Sequence, residues 1–318
     1  MSPSLKKIYV KVAVRENVHK DRRPAIFLYR FLLLLGNLVR TAVMKGPGVG
    51  FHAAIAGYAL RWIGSGLSRP LVYGLLVSPM DTFRYFEFDF FWKVVTEQGS
   101  LGAYLDVSSP RMFSWRVIAS GRTSRAVILN PDTKDLAVTK QLFNAARIGE
   151  RCEFKGDLIE DLKELPESFD TVTCISVLEH IPRDASIMAL QTMWKLVKPG
   201  GRLLLSVPCA AQAFEEFINF NEYGLLHTRS DGYVFGQRFY DEQLVAKLIF
   251  SVVGKPLRMA VFGEKKEGSF VLDRARKFSD ADYPFWREPW MMATQYQYFQ
   301  RIESMPGLGV VAFEFVKK

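Results

Sequence analysis

The chain divides into two parts by its pattern of apolar and polar positions. From Leu101 onward, short apolar runs alternate with segments in which apolar residues recur at helical spacing. The runs predict strands and the segments predict connecting helices, a pattern typical of a doubly wound α/β fold with a mostly parallel sheet. The predicted strands are residues 103–107, 125–129, 153–155, 171–175 and 202–207, and the predicted helices are residues 110–118 (with Ser109 as N-cap), 134–146 and 184–196.

Residues 1–80 have a different pattern, dominated by a long apolar run at residues 25–44. Pro24 suits the first turn of a helix, and Gly46 with Pro47 ends it. A bilayer span needs about 20 consecutive apolar residues, and the run is shorter than that because Arg30 and Arg40 interrupt it. The run also begins late and shows no cleavage site, which disfavours an ordinary signal peptide.

The polar residues of this segment recur every four or seven positions, which places them on one narrow helix face. The rest of the circumference is mostly apolar. We therefore predict an amphipathic helix that lies flat on a membrane surface. A helical cap on the rest of the chain or on a second subunit is the alternative, and the two can coexist. The polar positions are Arg23, Arg30, Asn37, Thr41 and Lys45.

The charge distribution favours the membrane hypothesis. The net charge is +9, and residues 1–80 hold 12 basic residues against two acidic ones, whereas residues 81–318 are nearly neutral. Each Lys or Arg near anionic lipid adds about 1 kcal/mol of attraction. Base-reading groups are not interleaved with these charges, so nucleic acid is not an expected partner. We expect an anionic membrane surface as partner, with residues 1–80 as a helical segment and residues 81–318 as a separate domain.

Cysteine and histidine usage narrows the chemistry. The three cysteines are far apart and odd in number, which disfavours a disulfide framework and favours a reducing compartment. The four histidines form no ligand-spaced pair, so we expect no metal. These observations predict a cytoplasmic protein that is peripherally associated with a membrane.

Four stretches of the second part resemble the class I S-adenosylmethionine-dependent methyltransferases. They are LDVSSP (105–110), GDL (156–158), FDTVTCISVLEHI (169–181) and LVKPGGRLLLSVP (196–208). The resemblance implies a methyltransferase that uses S-adenosyl-L-methionine. It also implies a seven-stranded sheet whose last strand is antiparallel, with residues 257–262 and 307–316 as the sixth and seventh strands. A looser resemblance, carried by FNEYG and QRFYD, is to methyltransferases of bacterial surface-glycan and lipid pathways.

The resemblance implies a cofactor site at the strand ends. Asp106, near the end of the first strand, would help to place the methionine moiety, or would instead cap its own loop. The family has a GxGxG loop next, because glycine lets the backbone approach the cofactor; here Ser108 and Ser109 stand in that loop. Where the family has an acidic residue on the ribose hydroxyls, we expect Asn130 to bind them with Asp132 assisting.

The adenine and methionine ends of the cofactor are assigned in the same way. Asp157 matches the residue that accepts from the adenine amine, with the backbone N–H of Leu158 on a ring nitrogen. A helix N-cap is the alternative for Asp157. Ile175 and Ser176, which end the fourth strand, would offer backbone groups to the methionine part.

Transfer of a methyl group to oxygen benefits from a base that removes the proton of the acceptor. The candidates are His180, just past the fourth strand, and His227, in the region after the fifth strand. The alternative for His180 is structural, because the EH pair of the family often only holds the following helix.

Two regions supply the candidate substrate-binding residues. Glu215, Tyr223 and Asp231 lie within residues 209–240, which we expect to cover the substrate, although they could be solvated loop residues. Arg84 and Tyr85 lie in the aromatic run FRYFEFDFFW, where family members often fold a cofactor lid. An amphipathic core helix is the alternative for that run.

Residues 264–306 form a second insertion, rich in aromatic residues and methionine. It could wall an apolar pocket, pack on the N-terminal helices or form a homodimer contact. We predict methyl transfer to a hydroxyl of a lipid, a lipid-linked glycan or another hydrophobic small molecule at a membrane surface. The alternatives are a catalytically silent scaffold or binding module, and an enzyme that uses the fold for another reaction.

Overall fold

The computed structural model describes residues 5–11, 24–64, 66–221, 224–280 and 283–318. The strands are β1 (Lys6–Val10), β2 (Gly102–Val107), β3 (Thr123–Leu129), β4 (Cys152–Lys155), β5 (Phe169–Ile175), β6 (Val197–Ala210), β7 (Phe214–Ile218), β8 (Val234–Phe239), β9 (Arg258–Glu264), β10 (Tyr296–Phe299) and β11 (Leu308–Val316). The helices are α1 (Pro24–Val43), α2 (Val49–Arg61), α3 (Arg69–Val77), α4 (Arg84–Gln98), α5 (Arg111–Ala119), α6 (Thr133–Ala145), α7 (Arg183–Leu196), α8 (Glu242–Val245), α9 (Ser251–Val253), α10 (Ser269–Ser279) and α11 (Glu288–Gln295).

The main sheet has the order β10-β9-β11-β6-β5-β2-β3-β4. Strands β2 to β6 pair in parallel, and β11 runs antiparallel to both β6 and β9, as the resemblance implied. The expected seven strands were one too few, because β10 adds an eighth, antiparallel to β9. This strand belongs to the second insertion, which also contains α10 and α11.

A second sheet of three strands has the order β1-β7-β8. Strand β1 pairs in parallel with β7, with Lys6 opposite Phe214, and β7 pairs antiparallel with β8. The sequence pattern did not predict this sheet. It joins the first described residues of the chain to the insertion at residues 209–240.

Two apolar clusters fill the faces of the main sheet. One packs α2, α3, α4 and α5 against it, with Phe86, Phe113 and Trp115 fully buried. The other packs α7 and the α8–α9 segment, with Met193 and Ile249 fully buried. Both faces are therefore covered, and the carboxyl ends of the parallel strands remain as the place for a ligand.

Helix α1 packs against α11 and the turn at Phe285–Arg287. Asn37 and Thr41, from the polar face predicted to meet lipid headgroups, are buried against the protein, whereas Lys45 of that face is exposed. Arg23 lies outside the described residues. Among the described residues, no helix combines the length and hydrophobicity needed to cross a bilayer.

Candidate active site

A cavity of about 740 Å³ opens at the carboxyl ends of β2, β3 and β5. The wall includes the polar residues Ser108, Asn130, Asp135, Ser176 and Arg84. It also includes apolar residues of α3, of α4, of the link between these helices and of the second sheet, which are Leu71, Leu75, Met80, Phe88, Ile218 and Phe235. Its volume is in the upper half of the range of about 300–1,000 Å³ that is usual for small-molecule sites.

The loop after β2 shapes this cavity without glycine. Ser108 adopts a φ of 51°, the left-handed conformation that glycine takes most easily. Its backbone N–H donates to the Leu129 carbonyl at 2.8 Å, and its hydroxyl donates to the same carbonyl at 3.2 Å. Both Ser108 and Ser109 line the cavity. Ser109 is not the N-cap of α5, because its hydroxyl accepts from the Ile175 N–H at 3.1 Å and Pro110 holds the cap position.

Asp106 holds this loop in place through hydrogen bonds. Its carboxylate accepts from the Ser109 N–H at 3.3 Å and from the Thr173 hydroxyl at 3.0 Å. Burial raises the pKa of Asp106 to about 6. Asp106 does not line the cavity, so the structure shows it capping its own loop, and its contact with a methionine moiety stays a prediction.

The loop after β3 brings three polar side chains together. Asn130 accepts from the Asp132 N–H at 3.0 Å and donates to Asp135 at 3.0 Å. Asp132 caps α6, because it accepts from the Lys134 and Asp135 N–H groups. Arg111 pairs with the other oxygen of Asp135. All of Asn130, Asp132, Asp135 and Arg111 line the cavity.

Arg84 is a cation in the cavity wall, and α4 holds it there. Its guanidinium contacts the fully buried Glu87 at 2.5 Å. Although burial pulls the pKa of Arg84 down, the Glu87 and Asp81 carboxylates raise it above its usual value, so the charge is retained. Tyr85 points the other way, fully buried, with its hydroxyl 2.7 Å from His52 Nδ1.

His180 lies in the cavity wall, in the turn that follows β5. Its Nδ1 is 2.7 Å from the Gly236 carbonyl, which only accepts, so Nδ1 carries the proton and Nε2 the lone pair in the neutral ring. Burial lowers the pKa of His180 to about 4, and the ring is therefore neutral near pH 7. Nε2 is 3.9 Å from Glu179, whose pKa burial raises to about 8.

Of the remaining predicted cofactor residues, some line the cavity and others do not. Leu158 lines the cavity, whereas the neighbouring Asp157 is exposed outside its wall. The backbone N–H groups of Ile175 and Ser176 already bond to Ser109 and Ser206. Of the two residues, Ser176 lines the cavity and Ile175 does not; the Ser176 backbone has a φ of 48°.

The other candidates lie outside the cavity wall. His227 is exposed, and Glu215 pairs with Arg238 at 3.3 Å. Asp231 is exposed and pairs with Arg229 at 3.0 Å. Tyr223 falls outside the described residues. Within those residues, no group of three or more His, Cys, Asp or Glu is placed to hold a metal.

Sequence reasoning missed Glu87, Arg111 and Asp135. Arg111 opens α5 directly after the serine loop, and Asp135 is in the first turn of α6, three residues after its cap. Both positions follow strand ends, and that signal could have found them. Glu87 carried no such signal, because its role depends on strands far along the chain.

Comparisons with known proteins agree with this geometry. Residues 114–245 match the family model of a methyltransferase domain. The ubiquinone biosynthesis O-methyltransferase of Dechloromonas aromatica is 36% identical over 74 residues, covering 23% of this chain and 30% of that protein. The enzyme of the same name from Xanthomonas euvesicatoria is 33% identical over 113 residues, covering 35% and 41%. The chain thus matches less than half the length of these curated relatives.

Solved structures show a distant likeness. One is the 1,6-didemethyltoxoflavin-N1-methyltransferase of Burkholderia thailandensis, solved with 1,6-didemethyltoxoflavin and S-adenosylhomocysteine. It is 16% identical, with a TM-score of 0.44, over 73% of this chain and 78% of that one. The family match covers β3 to β8 and the cavity residues from Leu129 onward, whereas α3, α4, β2 and the serine loop precede it. Over residues 114–245 the chain is therefore similar to methyltransferase domains.

Proposed function

We propose that the protein transfers a methyl group from S-adenosyl-L-methionine to a hydroxyl of a hydrophobic acceptor, such as a lipid, a lipid-linked glycan or another apolar small molecule. The observation that carries this proposal is the mixed polar and apolar lining of the cavity. Its polar side chains suit a charged nucleoside cofactor, and its apolar side chains suit an acceptor with little polarity. The two curated relatives are named for O-methyl transfer, which supports oxygen as the methylated atom.

The polar residues of the cavity wall offer partners for the ribose and methionine parts of the cofactor, and neighbouring apolar residues offer a surface for the adenine. Asn130 and Asp135 would take the ribose hydroxyls, since an amide and a carboxylate together donate and accept. Arg84 would pair with the methionine carboxylate, because it is a partly buried, permanently charged fork in the cavity wall. Leu158 and Ile159 would lie against the adenine ring. The donor set therefore fits S-adenosyl-L-methionine.

The bound cofactor supplies an already activated methyl group on a sulfonium. The protein chiefly has to align the acceptor with that methyl group and to exclude water. Met80, Phe88 and Phe235 would exclude water on the acceptor side. Neutral His180 would accept the hydroxyl proton at Nε2.

Titration calorimetry with S-adenosylmethionine and S-adenosylhomocysteine tests the cofactor part. We expect binding by the wild-type chain and binding weakened about tenfold or more by Asp135→Ala. Asp231→Ala, in an exposed ion pair outside the cavity wall, is the matched control and should bind normally. A wild-type chain that binds neither compound at high micromolar concentration would contradict the proposal.

A transfer assay tests the acceptor part. Cofactor labelled in its methyl group is incubated with the protein and with lipid or aqueous extracts of cells that lack the protein. We expect the labelled product to partition into the organic phase and to have the chemical stability of a methyl ether. Label that partitions only into water-soluble products would contradict a hydrophobic acceptor.

A further inference from the structure

The outward face of α1 is apolar along the helix. Leu28, Leu32, Leu35, Val39 and Val43 recur every three or four residues and are 43–79% exposed. We call these five side chains the α1 stripe. It is about 22 Å long at 1.5 Å per residue. Single exposed leucines are ordinary on protein surfaces, but a continuous stripe of this length marks a contact surface.

The opposite face of α1 is already committed to the protein. Asn37 donates to the Trp286 carbonyl at 2.9 Å, and fully buried Thr41 donates to the Asn37 carbonyl at 2.7 Å. The Arg30 guanidinium lies over the Trp286 ring at 4.9 Å. These contacts fix the rotation of the helix, so the α1 stripe is the face presented to the surroundings.

Charge indicates what covers the stripe. Residues 24–80 contain no Asp or Glu. Arg40 and Lys45 are exposed on α1 and directly after it, and Arg61 and Arg69 are exposed on α2 and α3. Two copies packed stripe to stripe would bring like charges together with no acidic residue of this segment to pair them. An anionic bilayer supplies both the negative charge and the apolar layer.

We propose that the α1 stripe is a membrane-binding surface for anionic phospholipid. The helix lies in the plane of the interface, with Leu32 and Val39 among the upper acyl chains and Arg40 and Lys45 at the headgroups. Helix α3, in the same N-terminal part of the chain, contributes Leu71 and Leu75 to the cavity wall. Binding of the stripe to lipid requires no cofactor, so it goes beyond the proposed methyl transfer and can be tested separately.

Flotation of the full chain with vesicles tests this proposal. We expect the wild-type chain to float with phosphatidylcholine vesicles that contain phosphatidylglycerol, and to float less with phosphatidylcholine alone. Leu32→Glu/Val39→Glu should lower the floated fraction about tenfold, because two apolar side chains no longer enter the bilayer. Leu165→Glu/Met188→Glu changes two exposed apolar residues outside α1 and should float like wild type.

Circular dichroism and S-adenosylhomocysteine calorimetry on each variant show whether the fold and the cofactor site are intact. A chain that floats but binds no cofactor overturns the proposed function and supports the membrane surface. Three results overturn the membrane surface: a wild-type chain that does not float, a stripe variant that floats normally, or a control variant that loses flotation equally. A dimer in lipid-free solution that the stripe variant makes monomeric also overturns it, since a second copy is then the occupant.

Discussion

The hydroxyl of Ser176, at the end of β5, donates a hydrogen bond to Glu87 on α4 across 2.6 Å. Ser206 on β6 donates to the same carboxylate oxygen at 2.6 Å, and the other oxygen holds Arg84. The fully buried Glu87 carboxylate therefore connects the end of β5, the interior of β6, helix α4 and the cation of the cavity wall.

Replacing Glu87 by alanine leaves Arg84 without its buried counter-charge. We expect the free energy of unfolding in urea to fall by about 3–5 kcal/mol. Affinity for S-adenosylhomocysteine should fall about tenfold or more, because the guanidinium loses its orientation. Glu97→Ala breaks an exposed pair with Arg258 and should cost less than about 1 kcal/mol. Equal stability of Glu87→Ala and wild type would show that this carboxylate does not position Arg84.

Asn130→Asp restores the residue type that the family has at the ribose. We nevertheless expect weaker cofactor binding, by about tenfold, because Asn130 donates to Asp135 and two carboxylates would then face each other. Asn130→Asp/Asp135→Asn should recover most of the affinity, since one carboxylate and one amide are present again. Calorimetry measures both variants. Tighter binding by the single variant would refute this account of the asparagine.

Ser108 tests whether the serine loop replaces the missing glycines. Ser108→Gly should keep cofactor binding and change the free energy of unfolding by less than about 1 kcal/mol, since glycine adopts its positive φ readily. Ser108→Val should destabilise by about 1–3 kcal/mol and weaken binding, because a β-branched residue is strained there. Thermal unfolding with calorimetry distinguishes them. The idea fails if valine is tolerated as well as glycine.

The effect of each substitution on kcat distinguishes the two candidate histidines. His180→Asn should lower kcat about 100-fold with little change in cofactor affinity, because it removes the proton acceptor in the cavity wall. His227→Ala should leave kcat unchanged, since His227 is exposed outside that wall. Steady-state kinetics with the acceptor found by the transfer assay measures both. The opposite pattern would assign the proton transfer to His227.

Acid sensitivity should depend in part on His52. Burial lowers its pKa to about 4, so between the ordinary value of about 6.5 and pH 4 the unfolded chain binds a proton that the folded chain excludes. Stability therefore falls as the pH falls through this window. His52→Gln should reduce the loss between pH 7 and pH 4.5 by about 2 kcal/mol. Urea unfolding at pH 7 and pH 4.5 gives the difference between the two proteins. Parallel stability curves would show that His52 is protonated in the folded chain.

The strands of the main sheet other than β10 were predictable because each is a local apolar run between turn residues. The N-terminal helix was predictable too, but the orientation of its faces was not. Periodicity separates the polar face of α1 from its apolar face and cannot show which one meets the protein. That depends on the bond between Asn37 and the Trp286 carbonyl, 249 residues away.

The site shows the same division. Ser108 and Asn130 could be placed at the cavity because they directly follow β2 and β3, and Leu158 because it is three residues after β4. The carboxyl ends of parallel strands meet at one edge of the sheet. The sequence analysis named Arg84 as a site residue but missed the groups that hold it, because Glu87, Ser176 and Ser206 come from three separate elements. Strand β1 was missed altogether, since KKIYV is short and its partner strand is distant in sequence.

The pairing of β1 with β7 has a consequence for synthesis of the chain. Lys6 lies opposite Phe214, so β1 leaves the ribosome long before its partner strand exists. Contacts between such distant residues form slowly, because a long loop must close first. The sheet beside the cavity is therefore completed late, and until then the unpaired edge of β1 is exposed to chaperones and to neighbouring nascent chains.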